Sequence, residues 1–73
     1  MTIEEIFREG IPPFSTIQII SRDRFDKHGL RKTKKVPRKD WWRYEKCVPE
    51  IVNTWPDGRI NVFLFEDSEG AVR

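Results

Sequence analysis

The side chains best suited to chemistry in this chain are cations gathered in one place. Nine consecutive residues, Arg31-Lys32-Thr33-Lys34-Lys35-Val36-Pro37-Arg38-Lys39, hold six positive charges, and Trp41, Trp42, Arg43 and Tyr44 follow closely. Cations at this density neutralise phosphates and release their counterions. Aromatic rings beside them can stack on unpaired bases. The combination points to nucleic acid as one ligand class. It points equally to an acidic groove on a protein, because Arg and Trp are favoured anchors at interfaces. The candidate partner-binding residues are therefore Arg31, Lys32, Lys34, Lys35, Arg38, Lys39, Trp41 and Arg43. The plainer alternative is a solvated charge run whose neighbouring aromatics serve the core.

The flanks sharpen the contrast. Residues 22–46 carry eleven Lys/Arg against four Asp/Glu, a net +7, whereas residues 1–21 stand at −2 and residues 47–73 at −3. The chain as a whole is at +2. An acidic mimic of DNA is excluded by this balance.

Other chemistries lack their parts. The single His28 and single Cys47 have no C-x-x-C or H-x-x-x-H partner, so no metal site is expected. Nucleophilic catalysis needs a nucleophile, a base and an orienting group. His28 falls in a turn-like stretch with only Asp26 near it, and Glu66, Asp67 and Glu69 cluster in a polar tail where nothing raises a pKa. The four glycines, at 10, 29, 58 and 70, are isolated and form no phosphate loop. The expectation is a protein that is not an enzyme and binds no cofactor.

The elements that position the cations follow from pattern. With 73 residues there is room for one domain, 1–73. Thr2 and Glu5 form a capping-box pair, Ile3, Ile6 and Phe7 share a helical face, and Gly10 with Pro12-Pro13 ends the run, which predicts a helix over about 3–9. The β-branched run 15–21 predicts a strand with Ile17 and Ile19 on one face. Asp26-Lys27-His28-Gly29 is a turn candidate, so 22–36 reads either as a basic ribbon or as a loop, with the balance towards a mobile tip. The basic loop or ribbon as a whole covers about 22–40. Self-repulsion argues against regular structure over 31–39.

Residues 41–47 read as a strand, either with Trp42, Tyr44 and Val48 inward and Trp41, Arg43 and Glu45 outward or with the reverse phase. Pro56-Asp57-Gly58-Arg59 between two apolar runs predicts a hairpin over 51–65. Both faces of its second strand are apolar at the far end, so both are expected to be partly covered. The tail 67–73 is expected to fray. The predicted core places Ile17, Ile19, Ile60, Val62 and Leu64 against Ile3, Ile6 and Phe7.

These elements give an α+β class: a short N-terminal helix packed on a three- or four-stranded antiparallel sheet, with a small SH3-like β-barrel as the alternative. No apolar run is long enough to span a membrane, the start Met-Thr-Ile-Glu-Glu is acidic, and a lone cysteine forms no internal disulfide. A cytoplasmic location follows as the expectation.

A starting Met-Thr-Ile-Glu-Glu-Ile helix, a Thr-Ile-Gln-Ile-Ile strand, and a Val48-Pro49-Glu50 element leading through Trp55 to Phe65 make up a layout. It resembles short proteins encoded by phages and prophages of bacteria, a pool that includes anti-CRISPR and other anti-defence inhibitors. The resemblance covers the two ends of the chain, and the basic stretch 31–39 departs from it. It implies a protein that acts in the host cytosol by stoichiometric binding to a host protein or nucleoprotein complex and inhibits it. The reading from the residues alone keeps the other class open, a small nucleic-acid-binding protein that contacts RNA or DNA through the central basic and aromatic segment.

Overall fold

The fold was obtained as a computed structural model, which describes residues 1–67, 71 and 72. Four strands, β1 (Thr16–Phe25), β2 (Arg31–Lys35), β3 (Ile51–Thr54) and β4 (Ile60–Glu66), form one sheet in the order β2-β1-β4-β3. A single turn of α-helix, α1 (Ile3–Ile6), precedes them, and a 3₁₀ helix (Arg38–Tyr44) joins β2 to β3. The architecture is a small α+β fold made mainly of strands.

The sheet departs from the sequence reading in one respect. β1 pairs antiparallel with β2, and β3 with β4, but β1 and β4 run parallel, from Thr16 opposite Asn61 to Ser21 opposite Glu66. The sheet is therefore mixed rather than antiparallel. It is also open, with β2 and β3 at its edges, and so is no barrel. The reason lies in the connection. Both hairpins are local, but the chain between them passes over one face in the 3₁₀ helix and α1-contacting segment. It re-enters with β4 beside β1 in the same direction, as a crossover connection does.

The helix starts as the capping box requires. Thr2 Oγ1 accepts from the Glu5 N–H at 3.4 Å, and Glu5 Oε1 accepts from the Thr2 N–H at 3.0 Å. The Thr2 N–H and the Thr2 hydroxyl, both donating to Glu5 Oε1, hold the Glu5 carboxyl below its usual range. The regular α turn ends at Ile6, short of residue 9. One turn cannot stand alone, and it is docked by backbone bonds from Ile3 N–H to the Cys47 carbonyl and from Glu4 N–H to the Glu45 carbonyl.

Two local expectations are overturned. The basic run does form a strand, β2. Strand alternation sends neighbouring cations to opposite faces, which relieves the repulsion argued against regular structure. Its turn is held by Asp26, whose Oδ1 accepts from the N–H groups of His28 and Leu30, with Gly29 at φ 79°. The ribbon reading is thus the one observed.

The second correction concerns 41–47, which is 3₁₀-helical as far as Tyr44 and a turn beyond it, and not a strand. Pro37 presets the entry and Asp40 N–H returns to its carbonyl. A 3₁₀ helix brings residues three apart onto one side. Trp41, Tyr44 and, just beyond it, Cys47 face the core, while Trp42 and Arg43 face out.

The core comprises Ile3, Ile17, Ile19, Val36, Trp41, Val62 and Leu64, with Ile6, Phe7 and Ile60 partly buried against it. Five of the eight predicted core positions, Ile3, Ile17, Ile19, Val62 and Leu64, are buried as expected, with Ile6, Phe7 and Ile60 at the margin; Val36 and Trp41 are additions. Leu64 is fully buried. Leu64→Ala is expected to cost about 2–5 kcal/mol, comparable to the whole stability of so small a domain. A variant melting at the parent's temperature would remove Leu64 from the core. The expected fraying at 67–73 falls largely on residues 68–70 and 73, outside those described; Val72 bridges back to Glu66.

Candidate functional site

The basic segment divides over three surfaces. On β2, Lys35 lies opposite Gln18 and Thr33 opposite Ile20, so both share the face of the sheet away from Ile17 and Ile19. Arg31 belongs to that face too, with its guanidinium 5.9 Å from the ring centres of Phe25 and Phe65. Lys34 lies opposite Ile19 on the core side, 3.9 Å from Glu66, and Lys32 lines the same shallow groove. Arg38, Lys39 and Arg43 ride on the 3₁₀ helix. Arg38 sits 5.0 Å from the Trp41 ring centre and Arg43 5.4 Å from that of Trp42.

Trp41 leaves the candidate set. It is 6% exposed, its indole N–H donates to the Val36 carbonyl at 3.0 Å, and its ring centre lies 5.3 Å from that of Phe7. It is a core residue. Trp42, 65% exposed, occupies the surface position assigned to its neighbour. The spacing of three in Trp41, Tyr44 and Cys47 is the signal that distinguishes the two phases.

The surface that the charge run did not reveal is the open face of the sheet. Pairing sets Lys35, Gln18, Phe63 and Ile51 in one row across all four strands, and Thr33, Ile20 and Phe65 in the next. α1 and the 3₁₀ helix both pack on the opposite face, around Ile17, Ile19, Val62 and Leu64. Among the described residues no helix covers the open one. The apolar far end of β4, expected to be partly covered on both faces, has Phe63 and Phe65 half-buried on this face without a helix over them among the described residues.

Arg22 lies across this face. Its Nη2 donates to Glu50 Oε1 at 2.8 Å while its guanidinium sits 4.7 Å from the Phe65 ring centre. Arg22 and Arg31 thus form a cationic layer on an aromatic floor, an arrangement that survives exposure because the planar guanidinium is weakly hydrated. Among the described residues, Arg31, Lys35, Arg38 and Arg43 have no carboxylate within 4.0 Å. A bulge in the β1–β2 register between Ile20 and Phe25 twists the hairpin end on which Arg22 and Arg31 sit.

The remaining reactive types stand apart from this face. Burial pushes the Cys47 thiol up, which lowers its thiolate fraction. His28 is exposed in the β1–β2 turn. Among the described residues no group of three or more His, Cys, Asp and Glu could hold a metal ion, and no helix is long and apolar enough to cross a membrane. The open face can therefore offer π-surfaces, apolar surface and unneutralised cations to a ligand. No family model, no curated protein and no solved structure matches the chain, so its function rests on this geometry.

Proposed function

We propose that this chain is a non-catalytic binding protein whose ligand is single-stranded nucleic acid laid across the open face of the sheet. One observation carries the reading: the layer of Arg22 and Arg31 over Phe65, continued by Ile20, Phe63 and Lys35 on a face free of helices among the described residues. Unpaired bases present π-faces that stack on aromatic and guanidinium planes, while cations at the margin meet phosphates. A duplex hides those π-faces and is the weaker ligand. Binding of a labelled oligonucleotide, followed by anisotropy, is expected to weaken with salt. If four cations meet phosphates, the slope of log affinity against log salt is about −3. Binding without salt dependence, or none, would overturn the reading. The oligonucleotide is expected to be recovered intact; turnover abolished by His28→Ala or Glu66→Ala would refute the non-catalytic part.

A second reading is favoured by a different surface. In this reading the chain binds a bacterial host factor in the cytosol and inhibits it stoichiometrically, as phage-encoded anti-defence inhibitors do. The edge strand β3, Ile51-Val52-Asn53-Thr54, is uncharged, with exposed Ile51 and Val52 and with exposed Val48 and Trp55 beside it. The other edge, β2, is guarded by four cations. Trp55 N–H bonds the Arg59 carbonyl, so ladder alternation turns the backbone groups of Val52 and Thr54 outward, ready for a partner's strand. A host protein captured after nuclease treatment and lost with Val52→Lys would support this reading. Capture that ends with nuclease would return the function to nucleic acid.

A further inference from the structure

Phe14 is the one non-glycine residue among those described with a positive φ, at 67°. The backbone explains how it comes there. Ser15 N–H returns to the Pro12 carbonyl at 3.2 Å, which closes a turn with Pro13 and Phe14 at its centre. A turn with proline second and positive φ third has the type II form, and its third position favours glycine. A bulky aromatic there carries a conformational cost that the fold does not require. Nor is the ring in the core, since Phe14 is 78% exposed.

Its surroundings are cationic and aromatic. The Arg59 guanidinium lies 5.5 Å from the Phe14 ring centre and 5.2 Å from that of Trp55, itself 52% exposed. Asp57 holds Arg59 in place through two bonds, to Nε at 2.9 Å and Nη2 at 2.7 Å, and its carboxyl is thereby held below the usual range. Ser15 Oγ accepts from the Ile60 N–H at 3.0 Å, which ties the turn to the start of β4. On one side of Phe14 a groove of about 360 Å³ runs onto the open face beside Gln18, Asn61 and Lys35. On the other a groove of about 460 Å³ leads to Lys35 and Arg38. The ring is a ridge between two clefts, with Lys35 along both and Arg38 along the second.

We infer that Phe14, with Trp55 across Arg59, is a base-stacking post at the end of the sheet, and that its ligand is an unpaired nucleobase of the strand lying on the open face. The inference rests on the nucleic-acid reading of that face. Lys35 serves both grooves and meets the phosphate of the nucleotide that turns over the ridge. The strain at Phe14 is retained because only an aromatic side chain presents a π-face at that position.

The test is Phe14→Gly, with Trp55→Leu as the second variant, measured against a short oligouridylate and an oligothymidylate of equal length. Glycine relaxes the turn, so Phe14→Gly is expected to melt at the parent's temperature or above it. Its affinity is expected to fall about fivefold or more, the effect of losing one base stack. Ligand is expected to quench the exposed Trp55, and the quench to disappear in Trp55→Leu. Equal loss for both strands assigns the contact to the base; loss confined to oligouridylate assigns it to the 2′-hydroxyl and overturns the stacking assignment. Parent-like affinity in both variants, with salt-dependent binding intact, overturns this inference and leaves the open face standing. A clear fall in melting temperature for Phe14→Gly at unchanged affinity makes Phe14 a structural cover for Arg59. Absence of binding by the parent removes both readings together.

Discussion

Trp41→Ala is expected to cost about 3–5 kcal/mol, enough to unfold much of the population of so small a domain at ambient temperature. Three losses combine at this position. The ring fills the space between the 3₁₀ helix and the sheet and is 6% exposed. Its contact with Phe7 joins that helix to the N-terminal segment. Its indole N–H satisfies the Val36 carbonyl, and removing a donor from a buried acceptor adds the cost of desolvation. Trp41→Phe keeps a ring and deletes the bond, and is expected to lose about 1–3 kcal/mol. The neighbouring Trp42→Ala, at an exposed site, is expected to stay within about 0.5 kcal/mol of the parent. Denaturant midpoints for the three variants decide the matter. If Trp42→Ala were the damaging change and Trp41→Ala the mild one, the segment would have the strand phase that alternation suggests.

That contrast shows where the sequence is legible and where it is not. The hairpin over Trp55 to Ile60 was readable because its turn residues act locally. Asp57 Oδ1 accepts from Arg59 N–H at 3.0 Å, and Gly58 sits at φ 95°, so the chemistry that predicts the turn is the chemistry that makes it. The capping box at Thr2 and Glu5 was readable for the same reason. At 41–47 local propensity does not decide, since Trp and Tyr suit a strand as well as a core-facing helix. The local entry set by Pro37 and the docking of Ile3 and Glu4 on Cys47 and Glu45 together select the helix, and the docking is long-range. The parallel pairing of β1 with β4 was hidden in the same way. Strand direction across a crossover depends on where the intervening chain packs, and the residues of β1 and β4 read alike in either direction. For the site, the cations were visible as a run but their division between faces was not. Whether Lys35 and Lys34 point to opposite sides depends on a register that only pairing with β1 defines.

The division between faces yields the largest expected effect on binding. Arg31 and Lys35 lie on the open face; Lys32 and Lys34 lie on the core side of the same strand. All four are exposed, with the same formal charge, within five residues. A binding surface that followed net charge alone would lose equally from either pair. A ligand on the open face distinguishes them. In single-stranded nucleic acid each phosphate contact contributes about 0.7 to the slope of log affinity against log salt, hence about 0.7 of a decade at about 0.1 M salt. Arg31→Ser with Lys35→Ser is therefore expected to weaken binding about 25-fold and to make the slope shallower by about 1.4. Lys32→Ser with Lys34→Ser removes the same charge from the other side, and only the screened long-range attraction is lost. Its slope is expected to match the parent's, with affinity within about threefold. Neither pair touches the core, and the Lys34 contact with Glu66 is a surface ion pair of small worth, so both variants are expected to fold as the parent does. Equal losses from the two pairs would mean that the ligand follows the basic hairpin as a whole. A larger loss from Lys32 and Lys34 would move the interface to the groove those residues share with Arg24 and Glu66.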